Sequence, residues 1–524
     1  MAPKHLEYES LDLSTNTITN DEDALEQLVA STGSNSTTKH LVLVGGGHAH
    51  VQVIKALAGR PSHLRVTLID QQEAASYSGM VPGAIAKLYS PPATLLHLAP
   101  LAEWANITFV QAQVVDVDLQ NKLIYYTTTT SSTNDDNDES TSTTATTDSI
   151  SFDALSLDIG SATRDLHVIP GALAYTIPTR PIAALIQRIQ QAEQEILLQN
   201  TDSKMRIIKV VVVGAGVAGL ELALSIRGRW SELVDDLSVT VLDAVSGQSD
   251  ILPSETPSCR RKLLEILESK DIQLRRYDCG IESIAQHHIT LNNNSDSIEF
   301  DYCIWATGAE PHTLATTLQT KRGLQLDSHG WIQVNRQLQS VSHPCVFAAG
   351  DCASHPAHPP KAGVYAVRSG PILIQNLTHY LLHPNNNKQL VDFVPQPDFL
   401  KLMACGDGTA LGFRFGIPLH GTWVWNMKDE IDKSFMDLFR VDNLPPASSL
   451  QLDISQYDAA YACREHANRV DPKLAAQLLW RDDVDYKVNW KILRDMVCMS
   501  TYREQVLRHW HDTEQRLLEL ITPK

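Results

Sequence analysis

At 524 residues, with 43% hydrophobic side chains, the chain is long enough for about three domains with sizeable cores. Its formal charge of −18 speaks against nucleic acid as a partner, and no apolar run approaches the ~20 residues needed to cross a bilayer as a helix. The eight cysteines are scattered without C-x-x-C spacing, which excludes zinc ribbons and thioredoxin-like couples, suits a reducing cytoplasmic setting and leads us to expect no metal.

Residues 1–38 are rich in Ser, Thr, Asn and acids, carry a net −6, and read as a disordered acidic tail with neither a signal core nor the arginines of a transit peptide. Lys39 then opens a strand, Gly45 and Gly47 break it, a helix follows, and a second strand ends at Asp70. This is a dinucleotide-binding pattern in which His50 stands at the third glycine position, so the helix must sit further from its strand or accommodate the ring. After a glycine-rich apolar loop, Ala75–Gly83, strands near 107–117 and 122–126 are interrupted by 127–149, almost pure Thr, Ser, Asn and Asp, which reads as a low-complexity insertion in a hairpin. That stretch carries −5, which leaves −7 for everything outside it and the tail.

Phe152–Ser161 reads as a strand with a small-residue end at Gly160, and a helix near 181–199 leads to the strongest signal in the chain. Val210–Val213 is an apolar β-branched run, and Gly214, Gly216 and Gly219 follow at G-x-G-x-x-G spacing before a helix bearing Glu221. Gly214 suits a tight turn, Gly216 close approach to a pyrophosphate, and Gly219 close helix–strand packing. The next strand ends at Asp243, placed to accept a hydrogen bond from an adenosine ribose 2′-OH, and Ala244–Ser249 offers no arginine for a 2′-phosphate. NADH is therefore expected over NADPH. Two such folds in one chain imply two dinucleotides, one of them a flavin, arranged for hydride transfer. Two more strands end in Ala306-Thr307-Gly308 and in Ala349-Gly350-Asp351, and Pro360-Lys361-Ala362-Gly363 opens a helix to about Leu382.

Together these features resemble the FAD-dependent pyridine nucleotide–disulfide oxidoreductase superfamily, in its type II NADH dehydrogenase-like branch. Gly45–His50, Tyr77–Gly83, Leu157–Ser161 and Pro360–Arg368 are more specific, and resemble the oxidoreductase module found fused to selenophosphate synthetase. The likeness covers about residues 40 to 440; no synthetase sequence follows, so a selenium link is not carried over. The resemblance implies an α/β fold with two Rossmann-like domains and a C-terminal α+β region. The FAD domain would comprise 39–180 and 301–382, the NAD(H) domain 181–300, and the interface or helical region 383–524. Gly45, Gly47, His48, Asp70, Gly160, Gly350, Asp351, Ala362 and Gly363 would hold FAD. Gly214, Gly216, Gly219, Asp243, Thr307 and Gly308 would serve NADH and the crossing between the sheets, with Glu221 near the nicotinamide and Lys361 stabilising reduced flavin as catalytic residues.

Two departures shape the expected chemistry. The loop where a disulfide reductase carries its cysteine pair reads Tyr77-Ser-Gly-Met-Val-Pro, and Val, Arg and Ser stand at 367–369 in place of the glutamines of a type II quinone motif. The acceptor is thus an unidentified small molecule, a quinone among the candidates. A sulfide:quinone reductase-like enzyme using Cys352 and an apoptosis-inducing-factor-like redox-sensing flavoprotein are the alternatives. The stretch with Trp423, Trp425, Met427, Ile431, Phe435 and Phe439 at helical spacing is expected to pack on the flavin side or in a homodimer, with membrane association allowed but not indicated.

Overall fold

The structure, a computed structural model, describes residues 38–132, 142–199, 207–243, 251–277, 279–292, 297–382, 390–396, 399–414 and 417–454. The tail expected over 1–38 lies outside the described residues except for Thr38, as does everything after 454, including Cys463 and Cys498.

The apolar run β1 (Lys39–Val44) is buried from His40 onward and breaks at Gly45 into α1 (His50–Ala56). In chain order follow β2 (Leu64–Asp70), the short helix α2 (Val81–Ile85), β3 (Thr108–Gln111) and β4 (Ala154–Leu157). Helix α3 (Ile182–Gln199) leads to β5 (Ile208–Val213), α4 (Val217–Trp230), β6 (Leu237–Asp243), β7 (Ile272–Arg276) and β8 (Tyr302–Trp305). Then β9 (Val346–Ala348) and α5 (Gly363–Leu382) close the first fold.

Two five-stranded parallel sheets result. The first runs β9-β4-β1-β2-β3, and the second runs from Ile177–Pro178 through β8, β5 and β6 to β7. Parallel strands need helical crossovers on both faces, which explains why β1 and β5 are apolar along their length rather than alternating. The sheets meet at a short antiparallel crossing, Ala162–Thr163 against Ala309–Glu310. The first sheet's β1, β4 and β9 all point their carboxyl ends at one edge, where open α/β sheets bind ligands.

Sheet membership differs from the expected boundaries at two places. Tyr302–Trp305 pairs with Val210–Val213, and Ile177–Pro178 pairs with β8, so both belong to the second sheet although they fall in the ranges 301–382 and 39–180. The serine- and threonine-rich stretch also behaves differently. Leu123–Ser132 and Ser142–Ser151 form one antiparallel ladder that runs into the low-complexity stretch as far as the Ser132–Ser142 pair instead of ending at 126. Threonine is β-branched and fits an exposed ladder, so low complexity here does not prevent strand pairing.

Past the first fold, Lys401–Ala404, Ala410–Arg414 and Ile417–Gly421 form an antiparallel sheet followed by α6 (Thr422–Asp437). This sheet is pinned to the second fold by ion pairs between Lys401 and Glu255 (2.8 Å) and between Lys270 and Asp407 (2.5 Å). The inward face of α6 is Val424, Lys428, Asp432 and Phe435. Of the expected aromatic stripe, Phe435 and Phe439 are buried and Trp423, Trp425, Met427 and Ile431 are half-buried, while beside them Lys428 and Asp432 pair along the helix at 2.6 Å and the lysine donates to Gly79 O at 2.5 Å. Trp425 stays half-buried against Tyr89, with ring centroids 5.3 Å apart. Among the described residues no helix is long and apolar enough to cross a membrane.

Candidate functional site

At the first sheet's carboxyl edge, Gly45 takes φ +88°, and a Cβ there would come within 2.4 Å of Asp158 O. Asp70, at the end of β2, accepts hydrogen bonds from Gly46 N at 2.6 Å and Gln72 N at 2.7 Å, so the acid closing the strand lies against the glycine turn. His50 resolves the missing third glycine by accommodation. Its ring is fully buried, with Nδ1 2.6 Å from Gly45 O and Nε2 2.8 Å from Ser156 Oγ. Burial pushes its pKa down to about 4, so the ring is neutral; Nδ1 donates to the carbonyl and Nε2 accepts from the serine hydroxyl.

Asp158 is the residue that the sequence reading did not single out. It follows β4, is 4% exposed, and its Oδ2 accepts from Ala49 N at 2.9 Å and His50 N at 3.3 Å. A Cβ on Gly47 would lie 2.2 Å from its carboxyl carbon, and one on Gly350 would lie 2.5 Å from its Oδ1. Burial pushes its pKa up to about 7 against the pull of those two amides. An acid ending an otherwise apolar strand in a doubly wound sheet is the signal that could have found it. Beside it, Asp351 accepts from Ser161 Oγ at 3.0 Å and lies 3.7 Å from Arg180 Nη2, which ties the Gly350–Asp351 turn to the segment containing Gly160. A Cβ on Gly160 would meet no atom within 4 Å.

His48 faces this edge from the other side. Its ring stands edge-on to Tyr77, centroids 5.2 Å apart, and lies 5.9 Å from Phe435 of α6. Burial pushes its pKa down to about 4, and its Nε2 is buried with no hydrogen-bond partner among the described residues. Ala362 and Gly363 open α5 next to it, and a Cβ on Gly363 would sit 3.2 Å from Ser78 Oγ and 4.0 Å from the His48 ring. Lys361 is committed elsewhere: its ammonium donates to Ala353 O at 2.6 Å and lies 4.1 Å from the Trp331 ring centroid. Burial lowers its pKa. That geometry anchors the turn between β9 and α5.

The second fold follows the glycine logic closely. Gly214 takes φ +112° with its Cβ position 2.3 Å from Ala306 O, and a Cβ on Gly219 would lie 2.0 Å from Gly214 O. A Cβ on Gly216 would meet nothing within 4 Å, so the backbone there is open to a ligand. Thr307 Oγ1 donates to Arg164 O at 2.6 Å, and Gly308 O accepts from Arg164 N at 3.1 Å, which fixes the crossing of the sheets. Asp243 ends β6 with 7% exposure, and Arg276 Nε lies 3.4 Å from its Oδ2. Arg276 is the last residue of the next strand, β7.

Glu221, one turn into α4, connects the second fold to the C-terminal sheet, since its Oε1 accepts from Ala404 N at 2.7 Å. Burial pushes its pKa up to about 7, with Lys428 pulling it back. Burial acts to lower the Lys428 pKa, but Asp432 and Glu221 together outweigh it and hold the ammonium charged. Glu221, Lys428 and Asp432, joined to the loop at Gly79, therefore form a buried charged cluster between the two folds. Burial raises the thiol pKa of Cys259, Cys303, Cys345, Cys352 and Cys405. Cys352 is 2% exposed, donates to Ala349 O and Leu157 O, and burial pushes its pKa up to about 12. No group of three or more potential metal ligands occurs among the described residues.

The sequence pattern of the pyridine nucleotide-disulphide oxidoreductase family matches residues 39–370. Similar proteins include the NADH dehydrogenase-like protein YutJ of Bacillus subtilis, 24% identical over 370 residues, which are 68% of this chain and 87% of that one. The external NADH-ubiquinone oxidoreductase 2 of Saccharomyces cerevisiae mitochondria is 22% identical over 351 residues, 62% of this chain but only 60% of that one. The fold is shared with NDH2 of Plasmodium falciparum, solved with NADH, at a TM-score of 0.63 and 14% identity, covering 77% of this chain and 97% of that one. It is shared as well with the sulfide:quinone oxidoreductase of Aquifex aeolicus, at a TM-score of 0.60 and 16% identity, with coverages of 77% and 92%.

Proposed function

The chain belongs to the pyridine nucleotide-disulphide oxidoreductase family, and from that premise we propose that it passes reducing equivalents from a reduced nicotinamide dinucleotide, through FAD, to a small acceptor of quinone type. The residues fit both groups. At the first edge, the unpartnered, buried Nε2 of His48 and the open face of Gly160 favour a bound ligand. On the second fold, open Gly216 and a buried strand-end carboxylate do the same. When bound, FAD supplies the hydride-accepting and electron-donating chemistry.

The chain's own part is positioning and charge. Asp70 and Asp243 end the second strand of each fold, where they suit ribose hydroxyls, and the Thr307–Gly308 crossing brings the two edges together. The Glu221–Lys428–Asp432 cluster lies where the folds meet α6; Lys428 is held protonated by Asp432, and Glu221 can take up or release a proton near neutral pH.

The single observation that carries this reading is the loop at 77–80. It is held by Lys428 and stacked through Tyr77 on Phe435, centroids 4.7 Å apart, in the place where a disulfide reductase has its cysteines. Electrons are thereby directed to a diffusible acceptor and not to a protein disulfide. The homologue names point the same way, toward quinones. The test is anaerobic addition of NADH to the purified yellow holoprotein, followed by a soluble quinone. Bleaching of the flavin band and its return on adding quinone are expected; a flavin that NADH does not bleach would overturn the reading.

A further inference from the structure

Asp243 ends β6 directly opposite Arg276 of β7 in the parallel register, so both side chains leave the sheet on one face. The carboxylate is buried, whereas the arginine side chain is 42% exposed. The contact is made through Nε at 3.4 Å, and among the described residues no other group engages the guanidinium. The sequence of residues 244–250, which lie outside the described residues, holds no Lys or Arg. Burial raises the Asp243 pKa and Arg276 opposes it.

A carboxylate alone at the end of this strand accepts a ribose 2′-OH and repels a 2′-phosphate. A guanidinium beside it cancels the repulsion, and its two terminal nitrogens form the fork that grips phosphate bidentately. We propose that Arg276 sets nucleotide choice by making the adenosine 2′ position a charge-balanced subsite that accepts NADPH as well as NADH. This rests on the reading that the second fold holds the nicotinamide nucleotide. It replaces the NADH preference expected from Asp243 and its following loop. Asp243 keeps its hydroxyl-accepting role with NADH, and with NADPH the arginine turns its terminal nitrogens to the phosphate while Nε stays near the acid.

The test uses holoprotein and two measurements. Stopped-flow bleaching of the flavin gives an efficiency for each nucleotide. Calorimetric titration with ADP-ribose and with 2′-phospho-ADP-ribose reports the subsite without turnover. The parental protein should use NADPH within about tenfold of NADH, and Arg276→Ala should lower the NADPH:NADH ratio by roughly tenfold or more, the order of one charge-assisted pair. The same variant should weaken 2′-phospho-ADP-ribose relative to ADP-ribose by a similar factor, and Arg276→Lys should recover part of the loss. A parental ratio below about 1:100, or ratios that Arg276→Ala leaves unmoved in either measurement, overturns the proposal. If neither nucleotide bleaches the flavin, it is the oxidoreductase reading that falls. The two titrations still decide the subsite, and failure of both ADP-riboses to bind removes it.

Discussion

The two nucleotide folds solve one packing problem with opposite chemistry. In the second, the residue five after the turn glycine is Gly219, whose absent Cβ would lie 2.0 Å from Gly214 O, and Ala306 directly follows the neighbouring strand. In the first, the same two positions are His50 and Asp158. The carbonyl that Gly219 crowds has its counterpart in Gly45 O, and there an imidazole nitrogen contacts it at 2.6 Å. The backbone of Asp158 lies as close under Gly45 as that of Ala306 lies under Gly214, 2.4 Å and 2.3 Å from the respective Cβ positions. The strand–turn contact is thus kept, while the helix–strand contact changes from bare backbone to a wedge whose hydrogen bonds are all matched. A glycine fingerprint is one way to bring a helix to a strand; a satisfied polar pair is another. The second way ties the fold to protonation.

The largest effects should come from adding side chains where each solution has no room. Gly219→Val should cost about 3–5 kcal/mol or prevent folding of the second fold, because the clash is with backbone that cannot move aside. Gly47→Val should expel flavin, since its Cβ would overlap the Asp158 carboxyl. Thermal unfolding and flavin content of the purified variants measure both. A Gly219→Val protein within 1 kcal/mol of the parent, or a Gly47→Val protein at full flavin occupancy, would contradict the close approaches described.

A sharper version of the comparison writes the missing glycine back in. His50→Gly should not repair the first fold. It strips Gly45 O and Ser156 Oγ of a buried partner and leaves a ring-sized void, for a loss of about 3 kcal/mol. Denaturant unfolding of the holoprotein gives the number. Unchanged stability would mean that the ring only fills space that the helix can close.

Asp158 gives the pair a pH signature that Ala306 cannot have. Its folded pKa, about 7, lies above the ordinary value of 3.8. Its contribution is therefore fully present below about pH 4 and is lost as pH rises through 7. Asp158→Asn should become more stable relative to the parent by about 2–3 kcal/mol between pH 5 and pH 8, the scale for one proton over two pH units. Glu221, also held near 7 by burial, slopes the same way. The parent-minus-variant difference, and not the slope itself, thus isolates Asp158. A difference that is flat across this range would show that the carboxyl ionises normally.

The legible parts of this chain were those where a residue type has a single use. Gly214, Gly216 and Gly219 announced a turn, an opening and a close contact, and each stands in that geometry. Asp70 and Asp243 were legible as acids that close buried strands, and each ends its strand in the structure. What stayed hidden was pairing across the chain. Nothing local at Lys428 or Asp432 says that they are buried, because their i,i+4 spacing equally describes a solvated helix face. Arg276 was invisible for the same reason, its partner being 33 residues away and set by strand register. Likewise, Tyr302–Trp305 looked like a strand but carried no mark of the sheet it joins.

The smallest expected effect tests whether the comparison extends to sulfur. Each fold buries a thiol near its edge: Cys303 within β8 and Cys352 just after β9. Burial raises the pKa of both, Cys352 to about 12, so neither is a thiolate at neutral pH. Cys345, 8% exposed and also raised by burial, lies at the far end of β9 from Cys352. Cys303→Ser and a combined Cys345→Ser, Cys352→Ser variant should therefore each lose no more than about 1 kcal/mol and keep flavin. Both should reduce a quinone with NADH within about twofold of the parent, well under the tenfold that 1.4 kcal/mol would represent. The two folds would then be equivalent in sulfur, as they are not in their glycines. A sulfide-oxidising enzyme predicts an asymmetry instead. NADH would still bleach the flavin in every variant, while the combined variant alone would lose turnover with sulfide, the Cys303 variant keeping it. That outcome would make Cys352 a reactive thiol and replace nicotinamide oxidation as the main reaction.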